Sequence, residues 1–242
     1  MATACAHCPL HRSSLFLDHS PDDTRFMQQF KVGEMTIDPG TTLLMEGSNS
    51  PQLFTALRGM GLRYKTLADG RRQVLNLVFP GDFIGLQAGL MGEMGHSVQA
   101  TSAMTLCVFD RAGFWSFFRS HPERAFDLTW LAAVEEHFMG EALTSMGQRT
   151  ALGALAWAFV RIMQRGESIG LAKDGIMPLA YRQQDMADAL GLSLVHTNKT
   201  LARLRSRQLA NWHDGILSVP NLEKLADVAG MELESLPKRP LM

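Results

Sequence analysis

Within residues 182–209, RQQDMADALGLSLVHTNKTLARLRSRQL, hydrogen-bonding side chains gather first and cations follow. Ser193, Val195, His196, Asn198 and Lys199 are of the sizes and types that meet base edges, while Arg203, Arg205 and Arg207 carry guanidinium groups that suit phosphates. No acid stands between Ser193 and Leu209. This is recognition chemistry, the docking of a duplex, and not bond making.

Two helices joined at Gly191 would position these groups. Met186, Leu190, Leu192, Leu201 and Leu204 can seal the pair against a small core, and Gly191 suits a turn where a positive φ costs least. Ser193 is placed to cap the second helix. An ordinary helical hairpin with a solvated basic face has the same periodicity, so the flanks matter. Leu209–Val219 is two short apolar runs around Asp214-Gly215, a hairpin signal, and Asn221 can cap a last helix over Leu222–Val228. Residues 179–229 therefore read as a winged helix–turn–helix.

The rest of the chain is a different kind of object. Apolar residues are 46% of the 242 and charged ones 19%, which predicts a globular protein; the net charge of −1 makes the cationic surface local. Glycines separate short runs such as Met35–Ile37, Leu53–Leu57, Val74–Phe79 and Leu106–Phe109, the texture of an antiparallel β-roll. Ser120-His121-Pro122-Glu123 opens a long helix reaching about Met146, apolar along Leu131, Val134, Phe138 and Ala142 and again along Leu128, Ala132, Met139 and Leu143. One stripe can lie on the roll; the first-named is assigned to an identical helix in a homodimer. A further helix, Ala151 to Gln164, opens the last domain.

The fold class is thus α+β. The expected parts are a tail over 1–22, a β-roll over 23–118, a dimerisation helix over 119–147 and a DNA-binding domain over 148–242. No apolar run approaches the roughly 18 residues that span a membrane. The N-terminal residues lack the apolar stretch of a secretory signal, and three cysteines fit no closed disulfide framework, so a cytoplasmic location is expected.

This order of parts resembles the CRP/FNR family of bacterial transcription regulators, over nearly the whole chain. Gly81-Asp82-Phe83-Ile84-Gly85 in the roll and Asp185–Leu204 carry the resemblance most specifically, and Val195-His196-Thr197-Asn198 is similar to an FNR-like branch. The resemblance implies a cyclic-nucleotide-binding-like roll, a homodimer, a palindromic DNA site, transcription activation and contact with RNA polymerase. It departs at Arg182, where a capping threonine is usual, and at Val195, where founding members carry glutamate.

Effector chemistry is less legible. Members that bind cyclic AMP follow the glycine turn with a glutamate and place an Arg-Ser pair further on; here Leu86 and His96-Ser97 stand in those places. The missing guanidinium removes charge-assisted bonds worth on the order of 1.5–3 kcal/mol each, so cyclic AMP is not expected. Oxygen-sensing members hold an iron–sulfur cluster on four cysteines. Cys5, Cys8 and Cys107 are the candidate ligands here, with Ser14 and Phe16 where another cysteine would fall. Four thiolates are the norm for such a cluster, so a metal-free tail is favoured and a redox-sensing regulator is the alternative. A cupin-like metalloenzyme would need clustered His and Glu ligands in the roll, whose strands hold only His96; no enzyme activity is expected.

Overall fold

A strand that is apolar on both faces must be covered on both, and two such strands organise the N-terminal half. The computed structural model describes residues 2–242, at 116 and 117 by backbone alone. Helix α1 (Pro21–Phe30) leads into β1 (Lys31–Ile37), β2 (Thr42–Leu44), β3 (Gln52–Arg58), β4 (Gly61–Thr66), β5 (Arg72–Val78) and β6 (Phe83–Ile84). After α2 (Leu86–Met91) come β7 (Ser97–Ala100), β8 (Met104–Asp110) and α3 (Phe114–Ser120). The strands form two antiparallel four-stranded sheets, β1-β8-β3-β6 and β2-β7-β4-β5.

Along β3 and β8 alternate side chains part company, as the two-residue period of a strand requires. Phe54, Ala56, Leu106 and Val108 join a core with Leu44, Val78 and Val98 from the other sheet. Leu53 and Phe109 turn to the opposite face, where Met27, Phe83, Phe114 and Met242 meet them. Helix α1 was not anticipated, and it straddles the expected boundary at residue 22. Ser20 starts it with a reciprocal capping box: its hydroxyl accepts from Asp23 N at 3.0 Å, and the Asp23 carboxylate accepts from Ser20 N at 3.0 Å.

The long helix α4 (Pro122–Gln148) begins in one unit and ends in another. The first unit is residues 2–135 with 238–242, and the second is 136–237. The expected division differs in two ways: the helix is shared, and the last five residues leave the DNA-binding part. The stripe assigned to a subunit interface is also largely used inside the chain. Leu131 is buried beside Leu128 in the first unit, and Phe138 stacks on Trp157 in the second, ring centroids 6.0 Å apart. Val134 and Ala142 are half-buried. Ala132, Met139 and Leu143 stand exposed instead, Leu143 at 72%. Both stripes have helical period, so periodicity could not say which faces inward.

The second unit continues with α5 (Ala151–Ser168), β9 (Ile176–Pro178), α6 (Gln183–Leu190), α7 (Leu194–Ser206), β10 (Asn211–His213), β11 (Ile216–Ser218) and α8 (Leu222–Ala229). Thr150 caps α5 by accepting from Gly153 N at 3.2 Å. That helix is buried along most of its length, and α6, α7 and α8 pack around it. The wing is a three-stranded antiparallel sheet, β10-β11-β9, whose third strand was not foreseen. Trp212 of β10 meets Phe159 of α5 edge-on, centroids 6.0 Å apart.

Arg182 heads α6 without an acceptor side chain, and Asp185 makes good the loss. Its carboxylate accepts from Arg182 N at 2.8 Å and from Arg182 Nη2 at 2.9 Å. The Asp185 side chain is 2% exposed while that of Arg182 is 71% exposed. Asp185→Ala is therefore expected to cost about 1–3 kcal/mol, leaving a helix start unsatisfied. Arg182→Ala should cost less than about 1 kcal/mol, because its end of the pair lies in water. Urea melts followed by tryptophan fluorescence will separate the two.

Candidate nucleic-acid interface

Helix α7 has two unlike faces. Thr197, Thr200 and Leu204 are buried against the unit's core. The Thr197 and Thr200 hydroxyls donate back to the Ser193 and His196 carbonyls at 3.1 and 2.8 Å, so neither is left unpaired. Ser193 caps the helix by accepting from His196 N at 3.2 Å. At about 100° per residue, Val195, Asn198, Lys199 and Ala202 then fall on the opposite side, with His196 and Arg203 on one flank and Arg205 on the other. All of these are exposed, as is Ser193. Among the described residues Lys199, Arg203, Arg205 and Arg207 hold no ion pair. The seven residues singled out from the sequence thus lie together on open surface at one helix. Ala202 joins them on the same open face, where only the helical period could have flagged it.

The wing turns at Asp214-Gly215, φ 49° and 72°, the left-handed pair that a two-residue hairpin requires. Asn211 and His213 are exposed on β10, and His213 Nδ1 lies 2.9 Å from the Asp214 carboxylate. Gly191 sits at φ 65° and ends α6, with its N–H donating to Ala187 O.

The roll contains a polar cluster that composition did not disclose. Arg63 of β4 reaches Glu135 of α4 at 3.1 Å and donates to the Phe83 carbonyl at 2.9 Å. Asn76 Nδ2 donates to the same Glu135 oxygen at 3.0 Å. His96 is half-buried nearby, and burial, reinforced by the Arg63 charge, pushes its imidazole down to about 4. His96 is therefore neutral at pH 7, and Arg63 is already engaged.

The cysteines do come together, but around a lysine. The N-terminal tail is pinned by Lys31, whose ammonium donates to Thr3 O and to Glu34 Oε1, both at 2.7 Å. Glu34 also accepts from Thr3 N at 2.9 Å and pairs across the sheet with Cys107. Cys5 opens a short 3₁₀ turn, its N–H held by Gln28 at 2.8 Å, and Cys8 closes that turn. The Lys31 side chain is 3% exposed, and its charge acts on all three thiols. Burial outweighs it and raises each thiol, Cys107 up to about 11, so all three keep their protons. The three thiols share their surroundings with an ammonium and are one short of the four thiolates that such a cluster normally takes.

Two family models match the chain: a cyclic nucleotide-binding domain over residues 34–121 and a Crp-like helix–turn–helix domain over 153–228. The chain is 30% identical over 227 residues to the nitrogen fixation regulation protein FixK of Bradyrhizobium diazoefficiens, spanning 92% of this chain and 93% of that one. It is 26% identical to the transcriptional activatory protein AadR of Rhodopseudomonas palustris, over 84% of this chain and 83% of the relative. The solved structure of FixK2 from Bradyrhizobium japonicum has the same fold, with a TM-score of 0.73 at 22% identity over 83% of this chain and 98% of that one.

The buried imidazole has a consequence for acid stability. His96 titrates near 4 when folded and near 6.5 when unfolded, so the unfolded chain binds the extra proton between those values. Stability from this site is intact above about pH 6.5 and falls as the pH drops towards 4, by at most about 3 kcal/mol. The charged groups that act on His96 are Arg63, Glu46 and Lys65. Urea midpoints at pH 5 and pH 7 should differ less in His96→Gln than in the parent.

Proposed function

The chain belongs to the CRP/FNR family of transcription regulators, and from that premise we propose that it binds a palindromic promoter site as a homodimer and activates transcription there. The observation that carries this reading is the exposed face of α7: base-reading groups at its N-terminal end, and cations on both flanks that hold no ion pair among the described residues. Asn198 and Lys199 would meet base edges, with Ser193, Val195 and His196 beside them. Arg203 and Arg205 would hold phosphates and set the register. RNA polymerase is the partner that activation requires. The site of action would be the cytoplasm; no described helix is long and apolar enough to cross a membrane. The relatives are transcription regulators, and we assign this chain no chemistry of its own.

Dimerisation belongs to the proposal because two recognition helices must sit about one DNA turn apart. The open face of α4 in the second unit, with Met139 and Leu143 exposed, offers the apolar seam. Cyclic AMP independence belongs to it as well. A neutral His96, and an Arg63 engaged by Glu135 and the Phe83 carbonyl, leave the phosphate without the guanidinium it would need.

Asn198→Ala should weaken binding to the specific site by about 1–3 kcal/mol if its amide pairs with a base, and change random-sequence binding little. Arg205→Ala should weaken both alike and flatten the salt dependence. Titration of fluorescent duplexes at two salt concentrations measures both effects. Equal loss of specific and random binding in the Asn198 variant would sink the division of roles.

Leu143→Glu places a carboxylate in the proposed seam, where its desolvation is costly. Sedimentation is expected to give monomers, with footprinting of the palindrome lost in parallel. A stable Leu143→Glu dimer would remove this face from the interface.

A further inference from the structure

The last five residues, Lys238–Met242, return to the first unit after the DNA-reading unit is complete. They are built into the roll. Arg239 forms a one-residue parallel bridge with Phe16, donating to Leu15 O at 2.8 Å and accepting from Leu17 N at 2.9 Å. Leu241 and Met242 are buried, the latter in the aromatic cluster with Phe83 and Phe109. His19 Nε2 lies 3.0 Å from the Leu241 carbonyl, and the Thr55 hydroxyl donates to the Met242 carbonyl.

One contact gives this docking a direction. The Arg239 guanidinium pairs with Asp82 at 3.2 Å, both side chains being largely buried. Asp82 in turn accepts from Phe79 N at 2.8 Å and so holds the turn that precedes Phe83. Gly81 in that turn sits at φ 90°, and a methyl group there would fall 2.0 Å from the ring of Phe16, the residue bridged to Arg239. Next along the chain, the Phe83 carbonyl accepts from Arg63, which pairs with Glu135, the last residue of α4 in the first unit. Both chain connections to the DNA-reading unit, α4 at one end and 238–242 at the other, are therefore fixed on the same turn.

We propose that the Asp82-Phe83 turn is a coupling node, and that the C-terminal pentapeptide is a latch whose docking there restrains the DNA-reading unit by a second tether. A second tether lowers the conformational freedom that DNA binding must remove. A change in the roll that shifts this turn would then act on both tethers at once. The inference rests on the DNA-reading role proposed above.

Two variants test it: a chain ending at Pro237, and full-length Arg239→Ala. The first measurement is amide hydrogen exchange. The Leu17 amide donates to Arg239 O, and the Gly81 amide donates to Ala56 O within the node. Both are expected to exchange about tenfold faster or more in the shortened chain, and the Leu17 amide should follow in Arg239→Ala. The second is affinity for the specific duplex, expected to fall by about three- to tenfold in both variants. A third variant, Arg63→Met, combined with Arg239→Ala, should weaken binding by less than the product of the single effects, since both act through one turn. Unchanged Leu17 exchange in the shortened chain would show that the tail does not dock. Accelerated exchange with unaltered DNA affinity would show docking without coupling, and a strictly multiplicative double variant would dissolve the shared node. If the parent itself binds no DNA, the proposed function fails, whereas the exchange data still decide whether the latch exists.

Discussion

Everything in the N-terminal half depends on covering the sheet β1-β8-β3-β6 twice. Its inner face is closed by the opposing sheet, through Phe54, Ala56, Leu106 and Val108. Its outer face presents Leu53 and Phe109, which water would leave at a cost of about 25 cal/mol for each Å² of apolar surface exposed. Four separate parts of the chain answer that demand: α1 through Met27, α3 through Phe114, the first turns of α4 through Leu128 and Leu131, and the C-terminus through Met242. Cys5 and Cys107 pack at the margin of the same cluster. The long helix, the cysteine tail and the returning C-terminus are thus all recruited by one apolar surface.

The second unit solves a simpler version of the problem. Helix α5 is nearly encased by α6, α7 and α8, and each surrounding helix need supply only one apolar side. For α7 that side is Thr197, Thr200 and Leu204. The two threonines are polar, yet their hydroxyls bond within the helix, so both can be buried and the buried face stays narrow. A narrow buried face leaves a broad open one, wide enough to carry both the exposed polar groups from Ser193 to Lys199 and the flanking cations. The wing is braced from behind by Trp212 on Phe159, which sets β10 and β11 on the same scaffold that orients α7.

Polar pairs inside the roll link parts of the chain that are far apart in sequence. Glu135 draws Arg63 and Asn76 to α4, a link between strand and helix made from the chain's own side chains. Lys31 plays a similar part at the cysteines, where its ammonium, hydrogen-bonded to Thr3 and Glu34, ties the tail down and faces the three thiols. In both places a largely buried cation is held by a partner that the fold brings within reach.

Much of this was legible in the residues themselves. The spacing of Met186, Leu190, Leu201 and Leu204, the Ser193 cap and the Asp214-Gly215 turn determined the winged helix–turn–helix, because caps, turns and helical period are local properties of a few consecutive residues. The alternation of short apolar runs determined the antiparallel roll for the same reason, and Asn198, Lys199 and Arg205 took their places once α7 had its register. What only the tertiary structure decided are the choices between surfaces of equal pattern and between partners far apart in the chain. Leu131 and Leu143 both lie on apolar stripes of α4, and only packing shows that the first is buried and the second open. Arg63 gives no sign in sequence that Glu135 awaits it. Nor does Arg239 announce Asp82, 157 residues away by number, because no local period links a charge to a partner that the fold alone brings within reach.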